Sequence, residues 1–188
     1  MGPKPDPPYA SRGGTKLEAA LDRFDVDPTG LVCADLGCSV GGFVDCLLRR
    51  GAAKVYAVDT AYGQLAYRLR RDERVVVMER VNAMHAELPE RVPLITIDVG
   101  WTRQHLILPA ARTMLAEGGR IITLIKPHYE AEKRLLRGGV LPDDRMESVV
   151  QQVVYGLRDL NLKADSLMDS PIRGQGGNRE MFALIREM

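Results

Sequence analysis

Two charged residues stand at the ends of runs that are otherwise apolar. Asp98 closes "LITID" and Lys126 closes "ITLIK", directly before Pro127. A buried charge is costly unless it is paired or put to use. Both fall at the carboxyl ends of strand-like runs, the edge where open α/β sheets bind ligands. If the two strands are neighbours the charges can meet, as a structural salt bridge or as chemistry. Glu180 is a similar oddity, placed where the Gly-rich "GQGGNRE" enters a strand. Lys16 follows Gly13 and Gly14 in "SRGGTKLEAAL" and heads a short apolar helix. The helical spacing of Leu17, Ala20 and Leu21 explains why that segment packs and leaves the lysine unexplained.

A second group lies in "ADLGCSVGGFVD". Glycine lets the backbone pass close to a ligand, and a helix N-terminus offers free N–H groups. Gly37, Gly41 and Gly42 form G-x-x-x-G-G, not the G-x-G-x-x-G that suits a dinucleotide pyrophosphate. With Asp35 just ahead, the loop suits a cofactor with an amino-acid end, whose ammonium and carboxylate need polar neighbours. That points to S-adenosylmethionine, with Cys38, Ser39 and Phe43 in the same loop. Asp59 closes the next strand, where a carboxylate can accept both hydrogen bonds of a ribose diol. Its ordinary alternative is a helix cap. Asn82 is placed to meet the adenine edge, or serves as a turn residue. Methyl transfer from a sulfonium to a hydroxyl needs alignment and partial deprotonation. A lysine can deprotonate it when burial or another cation lowers its pKa. Lys126 is then the base, with Lys16 and the sulfonium acting on it. Asp98 orients the lysine, and Glu180 holds the hydroxyl or steadies Lys16. Most of the rate would come from positioning.

Such a constellation needs a scaffold. Strand-like and helix-like runs alternate from Leu31 onward, the signature of an α/β fold with a mostly parallel sheet. Strands are expected at 31–37, 54–59, 75–79, 94–99 and 118–127. Helices are expected at 42–50, 64–71, 104–116 and 145–160, the last capped by Asp143 or Asp144. Closing strands near 162–168 and 180–186, with no helix between them, suggest an antiparallel hairpin at the sheet edge. Residues 1–9 hold four prolines and read as an extended tail or linker remnant.

The 188 residues suffice for one domain with a substantial core. No apolar run approaches the roughly 20 residues of a membrane span, so stable membrane insertion is not expected. "MGPKPDPPY" lacks a hydrophobic signal core. Cys33, Cys38 and Cys46 form neither a disulfide framework nor a CxxC zinc pair, so no metal is expected and a reduced, cytoplasmic protein is. A net charge of +1 is not the field of a strong non-specific nucleic-acid binder, although it allows a local basic face.

These segments together resemble a known family. "SRGGTKLEAAL", "DLGCSVGGFVDCLLRRGAAKVYAVDTAYGQLAYRLR", "ERVNAM", "TIDV", "LIKPHYEA" and "SPIRGQGGNREMF" are similar to the catalytic domain of the hemolysin A (TlyA-type) ribosomal RNA 2′-O-methyltransferases, within the wider FtsJ-like RNA methyltransferases. The resemblance runs from Tyr9 to Arg186. It implies that residues 10–188 are an FtsJ-like methyltransferase domain with a Rossmann-like fold. That fold is a seven-stranded, mostly parallel sheet with an antiparallel edge strand and helices on both faces. It implies a Lys-Asp-Lys-Glu tetrad at Lys16, Asp98, Lys126 and Glu180, and a cofactor site lined by Asp35, Gly37, Asp59 and Asn82 and bordered by Asp98.

Three departures bear on the acceptor. Family members usually carry an S4-type RNA-binding domain before the S-R-G-G motif; within these 188 residues the motif follows only the Pro-rich stretch. Gly100, Trp101, Thr102 and Arg103 replace an expected Ser-Phe-Ile-Ser. "KPHY" replaces K-P-Q-F, with His128 read as a neutral polar substitute for Gln. RNA contacts are expected from Arg12, Lys133, Arg134, Arg137, Arg173 and Arg179, with Trp101 and Tyr129 stacking on a splayed-out base. Arg49, Arg50, Arg70 and Arg71 read as solvated faces. The expected activity is S-adenosylmethionine-dependent 2′-O-methylation of structured RNA, foremost ribosomal RNA within a subunit. Two other readings remain open here. One is a cofactor- or nucleoside-binding module without RNA methylation, such as a sensor or hemolysin-like interaction protein. The other is a small-molecule O-methyltransferase.

Overall fold

The computed structural model describes residues 8–174 and 176–188; most of the Pro-rich stretch, residues 1–7, lies outside them. A helix, α1 (Arg12–Phe24), precedes the sheet. Ser11 caps it, its hydroxyl accepting from the Gly13 N–H, and Lys16, Leu17, Ala20, Leu21 and Phe24 form its buried face. Then come β1 (Val32–Leu36), α2 (Gly42–Arg49), β2 (Lys54–Asp59), the short α3 (Tyr67–Arg70) and β3 (Val75–Glu79). The second half runs β4 (Val92–Ile97), α4 (Gln104–Met114), β5 (Leu115–Ile125), α5 (Pro127–Glu130), α6 (Asp143–Gly156), β6 (Leu162–Asp169) and β7 (Met181–Glu187).

The seven strands form one sheet in the order β3-β2-β1-β4-β5-β7-β6. β1 to β5 are parallel, and β7 runs antiparallel to both β5 and β6. The closing hairpin stands at the edge as expected. Its antiparallel member, β7, lies one place inside, with β6 outermost. Central strands are apolar on both faces because both are covered. Cys33 belongs to one apolar layer, with Leu17 and Leu21 of α1, Val44 and Leu47 of α2, and Phe182. Its neighbour Ala34 belongs to the other layer, with Ile107 and Leu108 of α4 and Val150 of α6. The chain leaves β1 in opposite directions toward β2 and β4, so a crevice opens at their carboxyl ends, the switch point of such sheets. Among the described residues, no helix is long and apolar enough to cross a membrane.

Several local expectations change. The helix expected at 64–71 shrinks to Tyr67–Arg70. The helix expected at 145–160 starts at Asp143 and ends at Gly156, with Leu157–Leu160 tightened into a 3-10 turn. Pro142, not an aspartate side chain, stands at its N-cap. Asp143 is instead engaged by Arg173 at 2.8 Å. Gly13 and Gly14, which precede Lys16, both lie inside α1. A β-carbon on Gly14 would run into the Tyr9 side chain, so this glycine lets the buried Tyr9 pack against the helix.

Candidate active site

A cleft of about 630 Å³ opens at the carboxyl ends of β1, β2, β4 and β5. Lys16, Asp98, Lys126 and Glu180 all line it. They arrive from four elements: the second turn of α1, the residues just past β4 and β5, and the residue just before β7. The structure joins them as two pairs. Lys16 Nζ donates to Glu180 Oε2 at 2.6 Å, with both side chains buried. Lys126 Nζ lies 2.6 Å from Asp98 Oδ1 and donates to the Val99 carbonyl at 3.1 Å. Asp98 Oδ1 has no directed hydrogen bond among the described residues, so its contact with Lys126 is an ion pair. Glu180 presses on Gly174, where a β-carbon would collide with its carboxylate.

Of the residues expected at the cofactor, Asp35, Gly37, Cys38, Ser39, Gly42, Phe43, Asp59, Asn82 and Asp98 line the same cleft. Gly41 does not; it faces Leu65 and Leu69 behind the loop. Gly37 takes a left-handed φ of 90°, and a β-carbon there would stand 2.7 Å from the Asp98 carbonyl oxygen. The glycine thus lets two loops of the site touch. Asp59 is fixed by two backbone donors, Ser39 N–H at 2.7 Å and Ala61 N–H at 2.8 Å. Asn82 accepts from Met84 N–H at 3.0 Å and caps the 3-10 turn Ala83–His85. It is therefore a turn residue that also borders the cleft.

Asp35 is fully buried. Its Oδ1 accepts from the Thr96 hydroxyl at 2.8 Å, while Oδ2 has no hydrogen-bond partner among the described residues. Burial pushes its carboxyl up to about 8, against the Thr96 hydrogen bond and helped by the Asp98 and Asp59 charges. Cys38 is buried beside it, and burial raises its thiol likewise. Burial first, and then the Lys126 ammonium, hold His128 below its ordinary value.

At the mouth, Trp101 is 87% exposed with a left-handed φ of 62°. Its ring lies 5.1 Å from that of Tyr129, whose own ring lies 4.1 Å from His128. Of the basic residues expected to meet RNA, Arg12 lines the cleft. Arg134, Arg173 and Arg179 are engaged by Glu132, Asp143 and Asp169. Arg49, Arg50 and Arg70 pair with Asp45, Asp22 and Glu79, while Arg71 stacks on Tyr67.

Two organising residues had no sequence signal of their own. Asp45 is buried in the first turn of α2, accepts the Ala10 N–H at 2.8 Å, and pairs with Arg49 and Arg68. It fastens the segment leading into α1 to the helix behind the glycine-rich loop. Asn178 accepts from Leu141 N–H at 2.9 Å and donates to the Gly139 carbonyl at 3.2 Å. It stitches the 138–141 loop to the loop that delivers Glu180.

Comparison with known proteins follows the same outline. Residues 9–187 match the family described as FtsJ-like methyltransferase. The chain is 42% identical over 180 residues to "Putative rRNA methyltransferase YqxC" of Bacillus subtilis, covering 93% of this chain and 64% of that protein. It is 39% identical over 184 residues to "16S/23S rRNA (cytidine-2'-O)-methyltransferase TlyA" of Mycobacterium tuberculosis, covering 95% and 68%. A solved structure, "Putative hemolysin from Streptococcus thermophilus", superposes with a TM-score of 0.93 at 36% identity, covering 100% of this chain and 70% of that one. The chain thus spans about two thirds of the length of these relatives.

Proposed function

This chain belongs to the FtsJ-like methyltransferase family, and on that premise we propose that it methylates a ribose 2′ hydroxyl of structured RNA, foremost ribosomal RNA, in the cytoplasm. Residues 10–188 are the catalytic domain in this reading. The observation that carries it is the meeting of two lysine–carboxylate pairs in one cleft with the glycine-rich loop. Relatives named for the same reaction support it.

S-adenosylmethionine, when bound, supplies an electrophilic methyl group on a sulfonium. The residues present fit it. Asp59, oriented by two backbone N–H groups, keeps acceptor capacity for a ribose diol. The unpartnered, buried Oδ2 of Asp35 suits a polar amino-acid end. Asn82 stands at the cleft border for the base. Gly37 keeps the floor low where Asp98 crosses.

The acceptor hydroxyl is the business of the tetrad. Lys126 would act as the base from its neutral amine form, after giving up a proton of its own, and would accept the hydroxyl proton at Nζ. Asp98 and the Val99 carbonyl fix where that nitrogen points. Glu180 fixes Lys16, which presents a cation to the developing alkoxide. Trp101 and Tyr129 offer aromatic surface at the mouth for a base drawn out of its stack.

Tritiated methyl transfer to total RNA, intact ribosomal subunits and a small-molecule extract tests the reading. Label is expected in RNA, on ribose. Lys126→Ala should lower the rate about 10²–10⁴-fold while calorimetry shows S-adenosylmethionine still bound. Full activity in that variant, or label confined to small molecules, would overturn the assignment.

A further inference from the structure

The two lysines of the cleft are each met by a carboxylate at 2.6 Å. Arg12 is different. It lines the same cleft and is exposed, and among the described residues no carboxylate pairs with it. The other arginines expected at RNA are bound to Glu132, Asp143 or Asp169, apart from Arg137, which does not line the cleft. Among the described residues, Arg12 is therefore the cleft-lining cation that no carboxylate compensates.

Its position gives that charge a target. Arg12 and Lys16 lie one turn apart on α1, so they share a face. The rise between them is about 6 Å along the helix. In a polynucleotide, only the C2′, C3′ and O3′ atoms stand between a 2′ oxygen and the neighbouring phosphorus. A cation one helical turn from the tetrad lysine is thus at the right range for that phosphate. A guanidinium also grips phosphate with two parallel N–H bonds, which an ammonium cannot do.

We propose that Arg12 clamps the phosphodiester adjoining the acceptor ribose, so that the site selects a polynucleotide over a free nucleoside. This inference rests on the RNA-methylation reading of the same cleft. It assigns Arg12 a positioning role that acts on substrate binding and leaves proton transfer to Lys126.

The test compares wild type, Arg12→Ala and Arg12→Lys on ribosomal subunits and on the RNA extracted from them. Steady-state methyl transfer is followed over a salt series, with fluorescence anisotropy of labelled RNA in parallel. Arg12 is exposed and has no ion pair among the described residues, so the variants should fold, and melting curves verify this. Arg12→Ala should raise KM for RNA roughly 10- to 100-fold, with kcat within a few-fold. The slope of log KM against log salt should become shallower by about 0.7, one single-strand phosphate contact. Arg12→Lys should keep the salt slope and recover part of the affinity. An unchanged KM and slope in Arg12→Ala would overturn the proposal. So would a fall in kcat or cofactor affinity at constant KM, which would mark a role in the site's own architecture. If wild type labels no RNA, the methylation reading fails. The clamp is then judged by anisotropy alone, where an unchanged salt slope, or no RNA binding, overturns it.

Discussion

Lys16 and Glu180 are only 8% and 5% exposed, so each is the compensation for the other's buried charge. Removing one member of such a pair costs about 3–5 kcal/mol, whereas replacing both with apolar residues of similar volume is near neutral. Glu180→Ala should therefore lose stability in that range by urea denaturation. Lys16→Met combined with Glu180→Leu should recover most of it and remain inactive; methyl transfer by that double variant would remove the pair from the chemistry. Asp35 titrates in the opposite sense from most carboxylates. Its folded value of about 8 lies above the ordinary 3.8. Between those values the folded state keeps a proton that the unfolded chain gives up, so stability falls as pH rises across that window. Asp35→Asn keeps an acceptor for Thr96 and abolishes the titration. Its melting temperature relative to wild type should rise from about pH 4 to about pH 8. A constant difference would show that Asp35 is ionised in the fold. At this scale the sequence was informative where a charge broke an apolar run, as at Asp98 and Lys126. It was silent about Asp45 and Asn178, because an aspartate on a helix and an asparagine in a Gly-rich loop are ordinary until their remote partners are known.

The turn from β1 into α2 brings the proposed cofactor loop against the backbone of Asp98, a member of the proposed tetrad. A side chain at Gly37 meets two obstacles, a left-handed φ and the Asp98 carbonyl. The left-handed conformation alone costs an L-residue about 1–2 kcal/mol. Gly37→Ala should stay folded and bind S-adenosylmethionine at least tenfold more weakly by calorimetry, since relieving the clash must move the loop or Asp98. Wild-type affinity would mean that the cofactor does not depend on this approach. The spacing of Gly37, Gly41 and Gly42 made the turn legible from the chain alone, but not what each glycine avoids. Gly37 makes room for backbone just past β4, Gly41 for leucines in and near α3, and Gly14 for Tyr9. The same limit explains the helix ends that moved. Asp143 looked like a cap, yet its carboxylate is engaged by Arg173, thirty residues away in sequence.

At the scale of the whole molecule, alternation of apolar runs was enough to count seven strands and to place a hairpin last. That β7 slips between β5 and β6 was not legible, because strand order depends on which edge remains open once the parallel core has formed. The resulting arrangement lets the last strand deliver Glu180 to Lys16 on the first helix, 164 positions away. That separation has a consequence in time. During synthesis, Asp35 to Asn82, the proposed cofactor side, emerge well before Glu180. Glu180 emerges 164 positions after Lys16. A nascent chain therefore carries the proposed cofactor residues long before it carries all of the proposed acceptor site. If the pair acts as proposed, a chain that stops before Glu180 lacks the carboxylate that compensates Lys16 and should not transfer methyl groups.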